Sequence, residues 1–315
     1  MMLDEFLSVR DSLGEGGMGY VVRAHHHLLG RDVAVKVLSS TDECPDAHDR
    51  FRREARITAR ITSQYVVQAM DCEAHGSSDP YIVLELVTGS SLASWMEKNG
   101  VLSVEHARSL IFQLATALDA VHAAGVVHAD VKPANVMVDF RCEPPVAKLI
   151  DFGVARSVDE ALLETDSRPC GTPERMSPEQ ITAPREALVY WDVWGLATVA
   201  YTILTGHNPF HGDTLIRILH AVTYGKRIPA SLLRPELSPL VDAVFERAFA
   251  TRPEHRPDSP MTFALELAAA LDASRLATWP AEEATCDETN DANNEANNEA
   301  NKTIVHHDAA FAQAA

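Results

Sequence analysis

The sequence has no apolar run long enough to cross a membrane. Its most hydrophobic stretch, Leu188–Thr205, is interrupted by Asp192, and the uninterrupted part, Val193–Leu204, has 12 residues. A membrane-spanning helix needs about 20 apolar residues. The opening stretch, MMLDEFLSVRDSL, also lacks the basic start and apolar core of a signal peptide. We therefore expect no membrane span, and we expect Val193–Leu204 to form a buried core helix.

Cysteine is scarce, and no two cysteines form a C-x-x-C pair. The five are Cys44, Cys72, Cys142, Cys170 and Cys286. Such wide spacing argues against a structural zinc site and against the disulfide framework of a small secreted protein. It is typical of a reducing compartment, so we expect a cytoplasmic location.

Positive charge is also in short supply, because 27 Lys and Arg residues stand against 45 Asp and Glu residues and give a net charge of −18. An acidic surface repels nucleic-acid phosphates and anionic lipids, so we expect neither as a partner. Part of the charge belongs to residues 280–315, where eight acidic residues accompany only Lys302. This stretch repeats the unit ANNE and is poor in core-forming residues, so we expect 273–315 to be a disordered acidic tail.

The remaining sequence has two composition regimes. Residues 6–87 contain short β-branched runs and one amphipathic pattern, DRFRREARITARI, which predict a small sheet with one helix. Residues 88–272 are dominated by helical patterns. The core positions predicted at helical spacing near the end are Phe249, Leu265, Leu267 and Leu271. We therefore predict an α+β fold with a small β-rich lobe and a larger α-helical lobe.

A glycine-rich loop follows the first predicted strand. Gly14, Gly16 and Gly19 form the pattern G-x-G-x-x-G, in which the missing Cβ lets the backbone approach a phosphate. In dinucleotide-binding folds this pattern leads into a helix, whereas here Val21 and its successors continue as a strand. The loop is therefore the turn of a hairpin, either a cover for phosphates or a plain glycine-rich turn.

The next predicted strand carries a lysine among apolar residues. Period-two alternation puts Ala34 and Lys36 on one face, opposite the valines of the same strand. A half-buried lysine is costly without an anionic partner, and Glu54 lies on the apolar side of the following helix. An ion pair between Lys36 and Glu54 is predicted, with two unrelated surface charges as the alternative.

Five motifs along the chain carry the most specific signal. They are H-x-D-x-K-P-x-N at 128–135, D-F-G at 151–153, S-P-E at 177–179, D-x-W-G at 192–195 and H-R-P at 255–257. In this order they resemble the motifs of protein kinases. Over about residues 6–272, the chain is similar to the bacterial branch of the eukaryotic-type, or Hanks-type, serine/threonine protein kinases.

The resemblance implies a bilobal kinase domain at 6–272, with its small lobe at about 6–87 and its large lobe at about 88–272. Such a domain transfers the γ-phosphoryl group of ATP with Mg²⁺ or Mn²⁺. The residues implied in nucleotide binding are Leu13, Gly14, Glu15, Gly16, Gly17, Met18, Gly19, Val21, Ala34, Lys36, Glu85, Val87 and Met137.

The same resemblance implies roles for the residues of the chemistry. Lys36, held by Glu54, would bind the α- and β-phosphates. Asp130 would accept or orient the acceptor proton, and Lys132 would neutralise charge on the phosphoryl group. The residues implied as metal ligands are Asn135 and Asp151.

Further matches concern the acceptor and the scaffold. Lys132 and Thr172 match the serine/threonine branch, so we expect protein substrates with Ser or Thr acceptors, including the protein itself. Glu179 and Arg256 match a buried ion pair, and Asp192 matches the residue that holds the catalytic loop. Dimerisation through the small lobe is common in the family and is a further expectation.

Three positions depart from the family pattern. Ala129 stands where most members have an arginine that binds an activation-loop phosphate, so we expect activity to depend little on phosphorylation. The candidate phosphorylation sites are Thr165 and Ser167, for which Arg156 or Arg168 could replace the missing receptor. Arg175 and Trp191 lie near the expected docking place of a substrate peptide and either alter specificity or reflect neutral drift.

A second function stays open at this point. A pseudokinase, which binds nucleotide and signals by its shape, would have the same fold. Loss of Lys36, Asp130 or Asp151 would favour that function, yet all three are present. An active kinase is therefore the leading prediction.

Overall fold

The computed structural model describes residues 6–16, 19–38, 47–73, 80–157, 173–182 and 189–277. The chain divides into two units, Met1–Ser274 and Arg275–Ala315, and the elements below belong to the first apart from the end of the last helix. The positions of interest outside the described residues are Gly17, Met18, Thr165, Ser167, Arg168, Thr172 and residues 278–315 of the predicted tail.

The first part of the chain forms an antiparallel sheet of five strands, in the order β1-β2-β3-β5-β4. The strands are β1 (Leu7–Gly16), β2 (Gly19–His26), β3 (Arg31–Leu38), β4 (Ala69–Glu73) and β5 (Tyr81–Glu85), and helix α1 spans Ala47–Arg60. On one face, the valines of β3 pack with Leu7 and Val83. On the other, Phe51 of α1 packs with Leu38 and Ile82. The alternation of β3 therefore leaves Lys36 on the face that meets α1.

The rest of the described chain is mainly helical, so the fold is α+β with two lobes, as predicted. The helices are α2 (Leu92–Asn99), α3 (Val104–Ala123), α4 (Pro178–Thr182), α5 (Val189–Thr205), α6 (Leu215–Tyr224), α7 (Ala230–Leu233), α8 (Pro239–Ala248) and α9 (Pro260–Ala277). Helix α5 is buried from Trp191 to Thr205, which confirms the core helix predicted at Val193–Leu204. Within the described ranges, no helix combines the length and the apolar character that a membrane crossing requires.

The helical lobe also contains short strands that the sequence does not predict. Strands β6 (Ser90–Ser91), β8 (Val136–Asp139) and β9 (Val146–Leu149) form one sheet, and β7 (Val126–Val127) pairs with β10 (Arg156–Ser157). Strands of two to four residues are too short to show an alternating pattern. They matter because the H-x-D-x-K-P-x-N motif lies between β7 and β8, and D-F-G lies between β9 and β10.

The prediction that Leu265 is a core residue is wrong. Leu265 is 56% exposed, whereas Phe249, Leu267 and Leu271 are at most 2% exposed. Residues two positions apart on an α-helix lie about 200° apart around its axis. Leu265 therefore points away from the core that Leu267 enters.

The ion pair predicted between Glu179 and Arg256 is present and buried. Arg256 is 1% exposed, and its Nη1 and Nη2 donate to Glu179 Oε1 and Oε2 at 2.6 and 2.8 Å. Its Nε donates to the carbonyl of Ala250 at 2.8 Å, and its guanidinium carbon lies 4.8 Å from the ring centroid of Trp194. The pair therefore ties α4 to the loop that precedes α9.

Loss of Glu179 leaves the charge of Arg256 buried without compensation. We expect Glu179→Ala to lower the free energy of unfolding by about 3–5 kcal/mol, measured by urea denaturation. The control is Asp213→Ala, which removes the partner of Arg217 in an exposed pair and is expected to cost less than about 1 kcal/mol. Equal losses in the two variants would show that the buried pair has no special weight.

Candidate active site

Three charged side chains meet at the face of the sheet that α1 covers, and we call them the Lys36 cluster: Lys36, Glu54 and Asp151. The Nζ of Lys36 lies 2.6 Å from Glu54 Oε1 and 3.1 Å from Asp151 Oδ1. The ion pair predicted between Lys36 and Glu54 is therefore present. A Cβ at Gly153 would lie 3.2 Å from Asp151 Oδ1 and 3.3 Å from Glu54 Oε2, so a glycine there lets the carboxylates approach.

Burial and pairing act in opposite directions on the pKa values of this cluster. Burial lowers the pKa of Lys36, but Glu54 and Asp151 outweigh it and bring that pKa above its usual value. Burial raises the pKa of Glu54, and Lys36 offsets only part of the rise. Burial also acts to raise the pKa of Asp151, but Lys36 brings it below its usual value. Lys36 and Asp151 are therefore both charged at neutral pH.

A buried carboxylate holds the loop that follows β7. Asp192 is fully buried; its Oδ2 accepts the N–H of His128 at 2.9 Å, and its Oδ1 accepts the N–H of Ala129 at 2.8 Å. Ala129 has φ of 66°, in a left-handed region that costs a non-glycine residue about 1–3 kcal/mol. These two hydrogen bonds hold the strained backbone and so set the direction in which Asp130 projects.

Asp130 belongs to a second group, the Asp130 cluster, with Lys132 and Asn135. Its Oδ2 lies 2.6 Å from Lys132 Nζ and accepts a hydrogen bond from Asn135 Nδ2 at 3.1 Å. Asn135 Nδ2 also donates to the carbonyl of Asp130 at 2.9 Å, which closes the loop on itself. The carbonyl of Asn135 accepts the N–H of Ile150 at 2.9 Å. Because Ile150 precedes Asp151, this bond joins the Asp130 cluster to the Lys36 cluster.

The oxygens at this junction fit a divalent cation. Both hydrogen bonds of the Asn135 side chain are donated by Nδ2. Its amide oxygen is therefore the atom that could ligate a cation, together with the Asp151 carboxylate. Such hard oxygens suit Mg²⁺. In the part of the chain that the structure describes, no group of three or more His, Cys, Asp or Glu residues is arranged to hold a metal ion. A cation here would therefore take its other ligands from phosphate oxygens and water.

The predicted glycine loop is the turn of the β1–β2 hairpin. Its described residues are Leu13, Gly14, Glu15 and Gly16 at the end of β1, and Gly19 and Val21 at the start of β2, while Gly17 and Met18 lie outside the described residues. Gly14 pairs with Val21, and Val21 pairs with Lys36. The hairpin therefore borders the Lys36 cluster directly.

The other predicted nucleotide-binding residues lie on separate elements. Ala34 is two residues before Lys36 on β3, Glu85 ends β5, Val87 follows it, and Met137 pairs with Ser91. The N–H of Glu85 donates to the carbonyl of Gln68 at 2.9 Å. That N–H is therefore not the group that could meet a ligand at this position.

Sequence reasoning missed Gln180, which fastens the S-P-E segment to the catalytic loop. Its Oε1 accepts the N–H of Ser177 at 2.9 Å, and its Nε2 donates to the carbonyl of Ala129 at 3.0 Å. A single glutamine after S-P-E carries no local pattern, since both of its partners are set by tertiary structure. His122 was missed for the same reason: its Nε2 lies 2.7 Å from Asp192 Oδ2.

Ala129 and Trp191, two of the positions that depart from the family pattern, are in contact. Trp191 is 3% exposed and packs with Val127 and Ala129. The guanidinium carbon of Arg156 lies 5.9 Å from the centroid of its ring. An indole therefore fills the space beside position 129, where the resemblance implies an arginine.

Comparison with known proteins finds a matching family model and several curated relatives. The family model described as Protein kinase domain matches residues 7–264. The chain is 34% identical over 266 residues to the probable serine/threonine-protein kinase PknB of Corynebacterium glutamicum, covering 81% of this chain and 40% of that protein. It is 35% identical over 278 residues to the serine/threonine-protein kinase PknA of Mycobacterium tuberculosis, covering 86% and 62%.

A third relative has a similar level of identity. The serine/threonine-protein kinase PknH of Mycobacterium bovis is 35% identical over 256 residues, covering 80% of this chain and 42% of that protein. The chain thus spans between 40% and 62% of the length of these three curated relatives.

Removal of Lys36 is expected to make the stability of the fold depend on the charge of Glu54. In Lys36→Met, burial raises the pKa of Glu54 without opposition from Lys36, so the folded state binds a proton more readily than the unfolded chain. A group whose pKa is higher in the folded than in the unfolded state stabilises the fold below its ordinary pKa, which is 4.5 for Glu54. This stabilisation is lost as pH rises through the folded-state pKa. The deficit of Lys36→Met against wild type should therefore be larger at about pH 8 than at about pH 5 in urea denaturation.

The matched control for this prediction is the double variant Lys36→Met/Glu54→Gln. Because glutamine does not titrate, the part of the pH dependence that comes from Glu54 disappears in it, and the part that comes from Asp151, whose pKa burial also acts to raise, remains. A deficit of Lys36→Met that is the same at both pH values would contradict the prediction.

Proposed function

The chain belongs to the protein kinase domain family, and we propose that it is an ATP-dependent kinase that phosphorylates serine and threonine side chains of proteins. The observation that carries the proposal is the junction of the Lys36 cluster with the Asp130 cluster through Ile150. The junction brings the Lys36 ammonium, which can bind phosphates, close to the side-chain oxygens of Asn135 and Asp151, which can ligate a metal ion. It also includes the Asp130 carboxylate, which can accept the proton of the acceptor hydroxyl.

The Lys36 cluster binds the phosphates. Lys36 Nζ meets the α- and β-phosphates, and Glu54 keeps it from turning away. The backbone of the glycine hairpin covers the phosphates, while Val21, Ala34 and Met137 pack on the adenine, and the chain from Glu85 to Val87 supplies hydrogen bonds to its edge. ATP supplies the phosphoryl group, and a bound divalent metal ion, for which we propose Mg²⁺, would neutralise the charge of the phosphates.

The Asp130 cluster works on the acceptor. Asp130 accepts or orients the proton of the acceptor hydroxyl, and its orientation is set by the bonds of Asp192 to the two residues before it. Lys132 contributes a positive charge beside Asp130, where the transferring phosphoryl group gains charge. Asn135 and Asp151 would hold the metal ion through their side-chain oxygens.

Members of this family use ATP and a divalent metal ion and act on proteins, and the curated relatives are named serine/threonine-protein kinases. For this chain we propose Ser and Thr acceptors, including its own, on the basis of Lys132 and Thr172. A cytoplasmic location, the absence of nucleic-acid binding, a homodimer through the small lobe and the domain bounds 6–272 stay predictions from the sequence. The pseudokinase alternative gains no support from the described residues, since the Lys36 and Asp130 clusters are complete.

Loss of the Asp130 carboxylate is expected to stop phosphoryl transfer. Asp130→Asn should reduce transfer from labelled ATP by at least about 100-fold, because a positioned general base contributes about 10²–10⁴-fold. Lys36→Met should also reduce transfer, because it removes the cation proposed to bind the α- and β-phosphates of ATP. The assay uses a generic protein substrate and the protein itself as acceptors, in the presence of Mg²⁺.

The scaffold alternative predicts a different result. Wild-type protein would then show no Asp130-dependent transfer to any Ser or Thr, yet would still gain thermal stability with ATP. A wild-type protein that neither transfers phosphate nor responds to ATP would contradict both functions.

Activity is expected to depend little on phosphorylation of the activation segment. An alanine stands at position 129, and the indole of Trp191 occupies the neighbouring space, so the usual phosphate receptor is replaced by an apolar contact. We expect Thr165→Ala/Ser167→Ala to keep most of the turnover of the wild type. The prediction is wrong if this variant is inactive and Thr165→Glu/Ser167→Glu restores activity.

A further inference from the structure

The peptide group between Ala129 and Asp130 sets the direction in which the Asp130 carboxylate points. It is a planar unit that contains the carbonyl of Ala129 and the N–H of Asp130, so its rotation turns the Asp130 side chain. The carbonyl accepts a hydrogen bond from Gln180 Nε2 at 3.0 Å, and the N–H donates to His128 Nδ1 at 3.3 Å. Gln180 therefore makes the shorter of the two hydrogen bonds that orient this peptide group.

The strain at Ala129 makes this orientation costly to maintain without support. Its φ of 66° lies in the left-handed region, which a residue with a Cβ adopts only where its surroundings hold it there. Asp192 accepts the N–H of Ala129 and so holds the peptide group that precedes the strained residue. Gln180 holds the peptide group that follows it. The two side chains thus fix both sides of Ala129, and the side that leads into Asp130 depends on Gln180.

The contact requires the chemistry of an amide. Gln180 Oε1 accepts the N–H of Ser177 at 2.9 Å, while Nε2 donates to the carbonyl of Ala129. A glutamine carries an acceptor and a donor on one terminal group, whereas an ionised glutamate carries only acceptors and a methionine has neither of comparable strength. Gln180 is 4% exposed and Ser177 is fully buried, so water has little access to replace these hydrogen bonds.

The support on which Gln180 rests is itself fixed. Glu179, the preceding residue of α4, accepts two hydrogen bonds from the buried guanidinium of Arg256. The N–H of Ser177 holds the other end of the Gln180 amide. A side chain aligns a reacting group only where its own position is fixed by packing and hydrogen bonds. Gln180 meets this condition on both sides.

We propose that Gln180 is a positioning residue for phosphoryl transfer: its amide holds the peptide group between Ala129 and Asp130, and so aligns the Asp130 carboxylate with the acceptor hydroxyl. This inference rests on the proposed kinase function and deepens it by naming a further residue that the transfer step requires. The hydrogen bonds of Gln180 reach Ser177 and Ala129 and not the Lys36 cluster. Its loss should therefore slow transfer and leave ATP binding unchanged.

The first test is Gln180→Met, which keeps the length of the side chain and removes both hydrogen bonds. We expect kcat for transfer to a generic protein substrate to fall by about 10- to 100-fold, because a displacement of about 1 Å at a reacting group can cost about 100-fold. The KM for ATP should stay within about twofold of the wild type, and ATP should raise the thermal midpoint by the same amount in both proteins.

The chain offers a matched control in Gln113 of α3. This glutamine is 6% exposed, its Oε1 accepts the N–H of Ala147 at 2.8 Å, and its Nε2 donates to the carbonyl of Pro145 at 2.8 Å. It has the same burial class and the same kinds of backbone partner as Gln180, but it holds the start of β9 instead of the catalytic loop. Gln113→Met should keep kcat within about twofold of the wild type at a temperature where both proteins are folded.

Gln180→Glu gives a signature in the pH profile that a merely structural role would not give. A protonated carboxyl group resembles the amide and keeps one donor and one acceptor, whereas the ionised form turns an acceptor toward the carbonyl of Ala129. Burial raises the pKa of a carboxyl group, so the donor is present at low pH and is lost as pH rises through the raised pKa. The ratio of kcat for Gln180→Glu to kcat for the wild type should therefore fall by at least about 10-fold between about pH 5.5 and pH 8.5. The same ratio for Gln113→Glu should not change with pH.

Each other outcome counts against a definite claim. Wild-type kcat in Gln180→Met, or an equal loss of kcat in Gln113→Met, overturns the positioning role. A rise in the KM for ATP as the main effect of Gln180→Met also contradicts it. If Gln180→Met does not fold, Gln180→Glu decides: a ratio of kcat values that is constant with pH, or a protein that is unfolded at every pH, assigns Gln180 to the fold alone. Absence of Asp130-dependent transfer by the wild type overturns the kinase function itself.

Discussion

The buried carboxylate of Asp192 is the contact on which the geometry of the catalytic loop depends. It comes from the apolar helix α5 and accepts the N–H groups of His128 and Ala129. A carboxylate without solvent is tolerated only where hydrogen bonds satisfy it, and the consecutive backbone N–H groups of His128 and of the strained Ala129 are two such donors. The two hydrogen bonds therefore offset both the burial of the Asp192 carboxylate and the strain of the backbone at Ala129. Without the carboxylate, the left-handed backbone would relax, and Asp130 would lose its direction.

Charge is distributed unevenly between the surface and the site. The chain carries a net −18, yet its functional centre is organised around fixed cations, Lys36 and Lys132, each held within 2.6 Å of a carboxylate oxygen. At such distances and with limited solvent, neighbours outweigh the screened field of a remote acidic surface. Total charge thus says little about what this site can bind, although it bears on the partners of the outer surface.

The sequence predicted what depends on local pattern and on motif order. The α+β fold, the buried helix α5, and the Lys36–Glu54 and Glu179–Arg256 pairs are all found in the structure. What it did not predict depends on contacts between distant segments. Gln180 meets Ala129 only after the chain has folded back, and the short strands around both motifs are defined by pairing rather than by alternation. Leu265 was misplaced by counting it with its neighbour Leu267, although the two point to different sides of one helix.

The contact between Ala129 and Trp191 has a consequence for how this chain can evolve. An arginine introduced at position 129 alone would bring a long cation into space that a buried indole fills. Its methylenes would be overpacked, and its charge would be desolvated. The order of substitutions is therefore constrained: Trp191 has to become smaller before position 129 can accommodate an arginine. The contact couples the two positions, so a phosphate-binding arginine at position 129 requires two substitutions rather than one.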